Sequence, residues 1–362
     1  MKSSLLFLPD ISGFTEFVQS TEVTHSQHVI SELLEVLIEA NTENLQLAEI
    51  EGDALFFYKE NEIPSLEKLL AQVEQMFTAF YSHLKLLEKN RICPCNACTT
   101  APSLQLKIIA HCGELQFITV QNNRKPFGTQ VIEAHRLMKN DVKSDNYVLF
   151  SKNLTNHVHL TNSYKTKLYQ FLPGSNTYDG KELEYLYAII DKKELKLKPF
   201  QQAKKIEFNR QANFTISTEF PIAANELLEI ISNFNYRKFW VEDVEFQFDK
   251  NQVNRVGTEH ICVVKDKHLN FTTITKKGKP GQFVYGEMTT TPSPIDALYQ
   301  FHIITPLTHN SCLLETEVYI DAKSLIKKVL VFLMISRVFK KNTQIAMQKL
   351  VKFVTDKRTN DS

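Results

Sequence analysis

The 362-residue sequence has almost no net charge, a single tryptophan and no long apolar run. Lys+Arg 42 against Asp+Glu 41 leaves no global basic field to hold nucleic acid, and no nucleic-acid partner is expected. The longest apolar run, "VLVFLMI" at 329–335, is far below the roughly 20 residues that span a bilayer. The opening "MKSSLLFLPD" offers one lysine and a short apolar stretch broken by Pro9, too little for a secretory signal, so a cytoplasmic location is expected. Six cysteines in so long a chain do not make a disulfide framework, and three of them crowd into "CPCNAC".

What is present suggests two domains, since about 100 to 200 residues per domain is usual. Charge is balanced overall but not locally. Residues 1–75 hold fourteen acidic and three basic side chains, and residues 322–354 hold eight basic and no acidic ones. Solvated helix faces account for most of that asymmetry. A lysine-rich stretch, "DKKELKLKPFQQAKK", has the composition of a linker and sets the domains at 1–200 and 207–356.

In the first domain "SLLFLPDI" reads as a buried strand, and Val29, Ile30, Leu33, Leu34, Leu37 and Ile38 recur at helical spacing. Two strands follow around a Glu51-Gly52 turn, then a helix from about Ser65 to Glu88. "LQLKIIAHCGELQFITV" reads as a hairpin turning near Gly113, "GTQVIEAHRLMKN" as a helix, and "NYVLF" as a strand; "YKTKLYQFL" and "LEYLYAII" add further strands. The order strand, helix, strand, strand, helix, strand is ferredoxin-like, with antiparallel pairs and helices on one face, an α+β arrangement. Its first and third strands are neighbours. Asp10, leaving the first, and Asp53, beginning the third, therefore share one edge, as a hard cation requires of a two-carboxylate site. Each alone also fits a plainer role, Asp10 as a helix cap and Asp53 as a turn residue.

"FLPDISGFTEF" followed by "EIEGDALFF" resembles the paired metal motifs of class III adenylate and guanylate cyclases, and "HCGEL" and "FGTQVIEAHRL" resemble their later segments. The resemblance covers roughly residues 4–150 and lies nearest to a group of uncharacterised, divergent bacterial cyclase-like proteins. It implies Asp10 and Asp53 as ligands of Mg2+ or Mn2+, with the Ile11 carbonyl as a third. It implies Glu49 as the purine reader of guanine type, a carboxylate that accepts from N1 and N2 of the base. Arg136 falls at the position that steadies the triphosphate and the transition state, a role for a planar, permanent cation. The family builds its site across a homodimer. Three positions depart from its pattern: Ile132 stands where an asparagine orients the ribose, Lys125 holds the second purine-reading position, and Glu51 adds a charge beside the hairpin.

Cys93, Cys95 and Cys98, with Cys112 on the next strand, supply the four soft ligands of a Zn2+ site; redox-active thiols and ordinary reduced cysteines are the alternatives. The second domain shows no triad or acid pair. "NFTISTEFPI", "AANELLEIISNF", "YRKFW", "RVGTEHICVV", "FVYGEMTTTP" and a long terminal helix, about Ala322 to Thr355, resemble the START-like, polyketide-cyclase-like (SRPBCC) superfamily. That resemblance implies a helix-grip fold around a cavity for a hydrophobic small molecule. Leu325, Val329, Leu333 and Phe339 are expected to face that cavity and Lys327, Lys328, Arg337, Lys340 and Lys341 to face water; a basic helix lying on a membrane surface is the secondary reading. Trp240 is expected in the core. The sequence thus reads as a divergent nucleotidyl cyclase-like domain that binds Mg2+ and a purine nucleoside triphosphate, with weak cyclase activity, joined to a ligand-binding domain. The alternative is a non-catalytic dimeric sensor or scaffold.

Overall fold

An apolar run ending on a carboxylate forms the middle of the first sheet. In the computed structural model, which describes residues 2–21, 23–92, 96–200, 206–248, 254–291 and 295–360, every residue of β1 (Ser4–Ser12) is buried. The chain divides into two units, Met1–Leu86 with Thr99–Phe200, and Leu87–Cys98 with Gln201–Ser362.

After β1 come α1 (Phe14–Ser20), α2 (Val23–Glu39), β2 (Gln46–Glu51), β3 (Ala54–Lys59), α3 (Leu66–Asn90), α4 (Asn96–Thr100), β4 (Gln105–Gly113), β5 (Gln116–Val120), β6 (Asn123–Phe127), α5 (Thr129–Leu137), β7 (Tyr147–Ser151), α6 (Lys152–His157), β8 (Leu172–Tyr178) and β9 (Lys181–Ile189). Gly13, with φ +88, lets the chain leave β1 and start α1 at once. The stripe Val29, Ile30, Leu33, Leu34 and Leu37 of α2 is buried, as is Leu69, Val73, Met76, Phe77 and Phe80 of α3. Gln72 of α3, itself buried, accepts from the backbone N–H groups of Thr42 and Glu43 and donates to the Ala40 carbonyl, fixing the path from α2 into β2.

The sheet runs β2-β3-β1-β4-β7-β9-β8. β1 lies antiparallel between β3 and β4, the expected neighbourhood of the first and third strands. β7 joins β4 in parallel. Three expectations are corrected. β4 and β5 do not pair as a hairpin; β5 pairs β6 in a separate two-stranded sheet whose turn residues Gln121 and Asn122 both have positive φ. "YKTKLYQFL" makes only an isolated Lys165–Gln170 bridge, and the strand begins at Leu172. The helices are not confined to one face: Ala134 and Leu137 of α5 pack with Leu6, Leu8, Phe56 and Ile109, while Leu5, Phe7 and Ile11, which alternation points to the other face, are equally buried.

The second unit contains β10 (Phe214–Phe220), α7 (Ala224–Ser232), α8 (Phe234–Arg237), β11 (Glu245–Gln247), β12 (Glu259–Val264), β13 (Lys267–Ile274), β14 (Phe283–Thr289), β15 (Ala297–Thr308), β16 (Ser311–Asp321), α9 (Leu325–Leu330) and α10 (Ser336–Asn360), with a π-helical turn at Val331–Ile335 joining the last two. Its seven strands form one antiparallel sheet, β10-β16-β15-β14-β13-β12-β11. One face packs Phe208 and Ala212 against Phe301 and Tyr319. The other receives the terminal helix, through Val331, Ile335 and Phe339 against Phe214, Leu298, Val318 and Ile320, and farther along through Met347, on which the Thr316 hydroxyl lies at 3.6 Å.

Candidate functional site

β1 carries Asp10 to the end of the sheet where the Gly52 turn, φ +67, returns the chain as Asp53. Asp10 is in register with Ala54 on β3 and with Lys107 on β4, and the Ile11 N–H donates to the Asp53 carbonyl at 3.1 Å. The two carboxyl groups thereby meet. Asp10 is only 8% exposed, and Lys107 Nζ lies 3.0 Å from its Oδ2. Burial first, then the Asp10 charge and a hydrogen bond with that side chain, push the Asp53 carboxyl up to about 6, against the lowering influence of its own backbone and of Lys107. Two carboxyl groups thus converge, with the Lys107 ammonium already set against one of them. The donor set suits Mg2+ or Mn2+: hard oxygens, few in number, leaving the rest of the shell to phosphate and water. Among the described residues no three His, Cys, Asp or Glu side chains gather at one point.

Glu49 follows a register shift in β2 that re-aims its side chain, and its Oε1 meets Lys125 Nζ of β6 at 2.9 Å. The two positions expected to read the purine are therefore partners, both partly exposed. Arg136, in the last turn of α5, is held by Asp179 from the β8–β9 turn. Ile132, one helical turn earlier, is 53% exposed. His135 sits edge-on to Phe56 and 3.6 Å from Glu51. Asp10, Glu49, Lys125 and Arg136 thus each have an internal partner of opposite charge. Lys107 and Asp179 escaped sequence reasoning, because their roles depend on strand register and on a turn more than forty residues away from Arg136.

Of the cysteines proposed as zinc ligands, Cys93 and Cys95 lie outside the described residues. Cys98 is buried in α4, and Cys112 is buried in β4, where burial pushes its thiol up to about 11. Next to it His111 bonds Ser151 and Gln130, each at 2.8 Å.

The second unit departs most from expectation. Its interior holds a charged cluster: Arg237 of α8, buried, donates to the Ile231 carbonyl, to the Tyr285 hydroxyl and to both carboxylate oxygens of Glu287 on β14. Burial alone would raise the Glu287 carboxyl, but Arg237 above all, then His260 and the Tyr285 hydroxyl, hold it well below the usual carboxylate range. The guanidinium also lies over the rings of Phe234, Trp240 and Tyr285. Trp240 is core, as expected, yet its Nε1 and both ring nitrogens of His260 have no hydrogen-bond partner among the described residues. Leu325, Val329 and Leu333 are exposed rather than turned to the interior; only Phe339 of the four packs against the sheet. They point outward because Val331 and Ile335, at intervening helical positions, already fill the contact with the sheet.

The family described as "Protein of unknown function (DUF2652)" matches residues 30–147. An "Uncharacterized protein Rv2561/Rv2562" of Mycobacterium tuberculosis is 31% identical over 122 residues, which are 34% of this chain and 57% of that protein. The chain thus spans little more than half the length of this relative. Among solved structures the adenylyl cyclase CyaB from P. aeruginosa is 15% identical, with 54% of this chain and 96% of that one covered at a TM-score of 0.39. The guanylate cyclase domain of RhGC from Catenaria anguillulae in complex with GTP is 14% identical, with 52% and 98% covered at a TM-score of 0.37. No helix among the described residues is long and apolar enough to cross a membrane.

Proposed function

We propose that residues 1–200 form a divergent class III cyclase-like domain that binds Mg2+ or Mn2+ and a purine nucleoside triphosphate, GTP before ATP, and cyclises it slowly. The observation that carries this reading is the convergence of Asp10 and Asp53 at one sheet edge, with Asp53 raised to about 6 beside its partner. When bound, the metal supplies charge stabilisation for the triphosphate. Asp10 and Asp53 orient it, with the Ile11 carbonyl as a third ligand. Glu49 and Lys125 exchange their mutual ion pair for the base. Guanine suits them best, because Glu49 accepts from N1–H and N2–H while Lys125 donates to O6; adenine offers this pair only one donor and one acceptor. Arg136 leaves the exposed Asp179 for a phosphate, a stronger, multidentate anion. Exposed Ile50, Ile118, Val120, Phe127 and Ile132 supply the apolar surface on which a second copy completes the site. Residues 207–356 form a START-like domain. Its ligand combines an apolar body with a polar group that engages Trp240 and His260, and so modulates the first domain.

One residue supports a second reading. Ile132 cannot orient a ribose, which favours a non-catalytic dimeric sensor that binds nucleotide without turnover. Incubating the purified chain with Mn2+ and GTP or ATP, with mass-spectrometric detection of products, separates the two. Cyclic product that rises in Ile132→Asn and disappears in Asp10→Ala supports the enzyme. Bound nucleotide without product in any variant supports the sensor.

A further inference from the structure

The terminal helix presents an apolar face to both sides. Val331, Ile335 and Phe339 face the sheet core. Leu325, Ile326, Val329, Leu330, Leu333 and Met334, at spacings of one and four along α9 and the π-helical turn, point outward, between 37% and 79% exposed, and Val338 continues the row. At 1.5 Å per residue the row is about 20 Å long. Single exposed apolar side chains are ordinary, but a contiguous row of this size marks a docking surface. Here seven of the eighteen large exposed apolar side chains among the described residues fall within fourteen positions.

We infer that this face docks the protein onto an anionic phospholipid surface, lying in the headgroup plane rather than crossing it. Charge selects the occupant. From Ala322 to Thr355 there is no acidic residue, and Lys328, Arg337, Lys340 and Lys341 are exposed around the apolar row. Lys327 is partly buried and paired with Asp296 at 2.7 Å, so it anchors the helix to its own unit. A second copy seated symmetrically would oppose the two lysine rims, and the buried core of a protein interface excludes lysine. A lipid bilayer reverses both objections. Its acyl boundary takes the apolar row, its anionic headgroups take the cations, and the long lysine stems reach from one to the other. The helix is too short in apolar residues to span, which leaves the interface as its place. This inference does not rest on the nucleotide reading.

The test is co-sedimentation of the full chain with vesicles of phosphatidylcholine containing phosphatidylserine, and with phosphatidylcholine alone, at low and high salt. Binding to the anionic vesicles, weakened by salt and reduced about tenfold or more by Ile326→Asp with Met334→Asp, is expected. Lys328→Gln with Lys340→Gln is expected to flatten the salt dependence while leaving the apolar contribution. All four positions are exposed, and an unchanged melting curve verifies folding of each variant. Absence of binding to anionic vesicles at low salt overturns the proposal. So does equal, salt-insensitive binding to both vesicles, or concentration-dependent self-association that Ile326→Asp abolishes, which would give the face to a second copy.

Discussion

Lys107 is the residue on which the first site balances. Its ammonium lies 3.0 Å from the Asp10 carboxylate and would compete with the proposed cation for it. Lys107→Met removes that charge without removing the stem. The apo protein is expected to lose about 1.5–3 kcal/mol, the usual worth of a hydrogen bond to a charged group, and to gain a larger rise in melting temperature on adding Mg2+. Thermal melts with and without Mg2+ measure both; an unchanged apo melt, or an Mg2+ response smaller than that of the parent chain, would refute the balance. Asp10 and Asp53 were legible in the sequence because a carboxylate that ends a buried strand and another that follows a Gly turn are local facts. Lys107 was not. Its meaning comes from register with a strand nearly a hundred residues away, and nothing local distinguishes it from a solvated lysine.

Elements were legible where periodicity was strong and one-sided. α2, α3 and α7 follow their apolar spacing, and β10 its alternation. The β5–β6 hairpin was missed because its turn is Gln121-Asn122, both in left-handed backbone conformation without a glycine to announce it. Asn122→Gly is therefore expected to stabilise the turn by about 0.5–1 kcal/mol, a gain readable in denaturant melts, since glycine takes that conformation without steric cost. Destabilisation would mean that the Asn122 side chain matters more than its backbone. The terminal helix failed for the opposite reason. It is apolar on two faces, and periodicity alone cannot say which one turns inward; Val331 and Ile335 occupy the sheet contact, leaving Leu325, Val329 and Leu333 outside.

At the scale of the molecule, the sequence conveyed an α+β chain with a sheet-rich second half and a long terminal helix, all of which the structure has. It did not convey the buried charge in that half, because Arg237 and Glu287 stand 50 residues apart in stretches that read as ordinary amphipathic segments. The pair has a consequence for acid stability. The Glu287 carboxyl is held below its unfolded value of 4.5, so its contribution is fully present above that pH and is lost as the pH falls below it. Glu287→Gln should remove this share of the acid sensitivity while leaving Arg237 buried without its counter-charge, at a cost of about 3–5 kcal/mol near neutral pH. Denaturant melts across the acid range check both effects, and an unaltered acid profile in the variant would place the sensitivity elsewhere.

Asp10 and Asp53 are proposed to make one metal-dependent nucleotide site. Isothermal titration of GTP into the full chain, with Mn2+ and then with chelator, tests it most directly when repeated on Asp53→Ala. Binding that requires the metal and is lost in the variant is expected. GTP binding that persists in chelator or survives the substitution, or no binding in the parent chain, would contradict it.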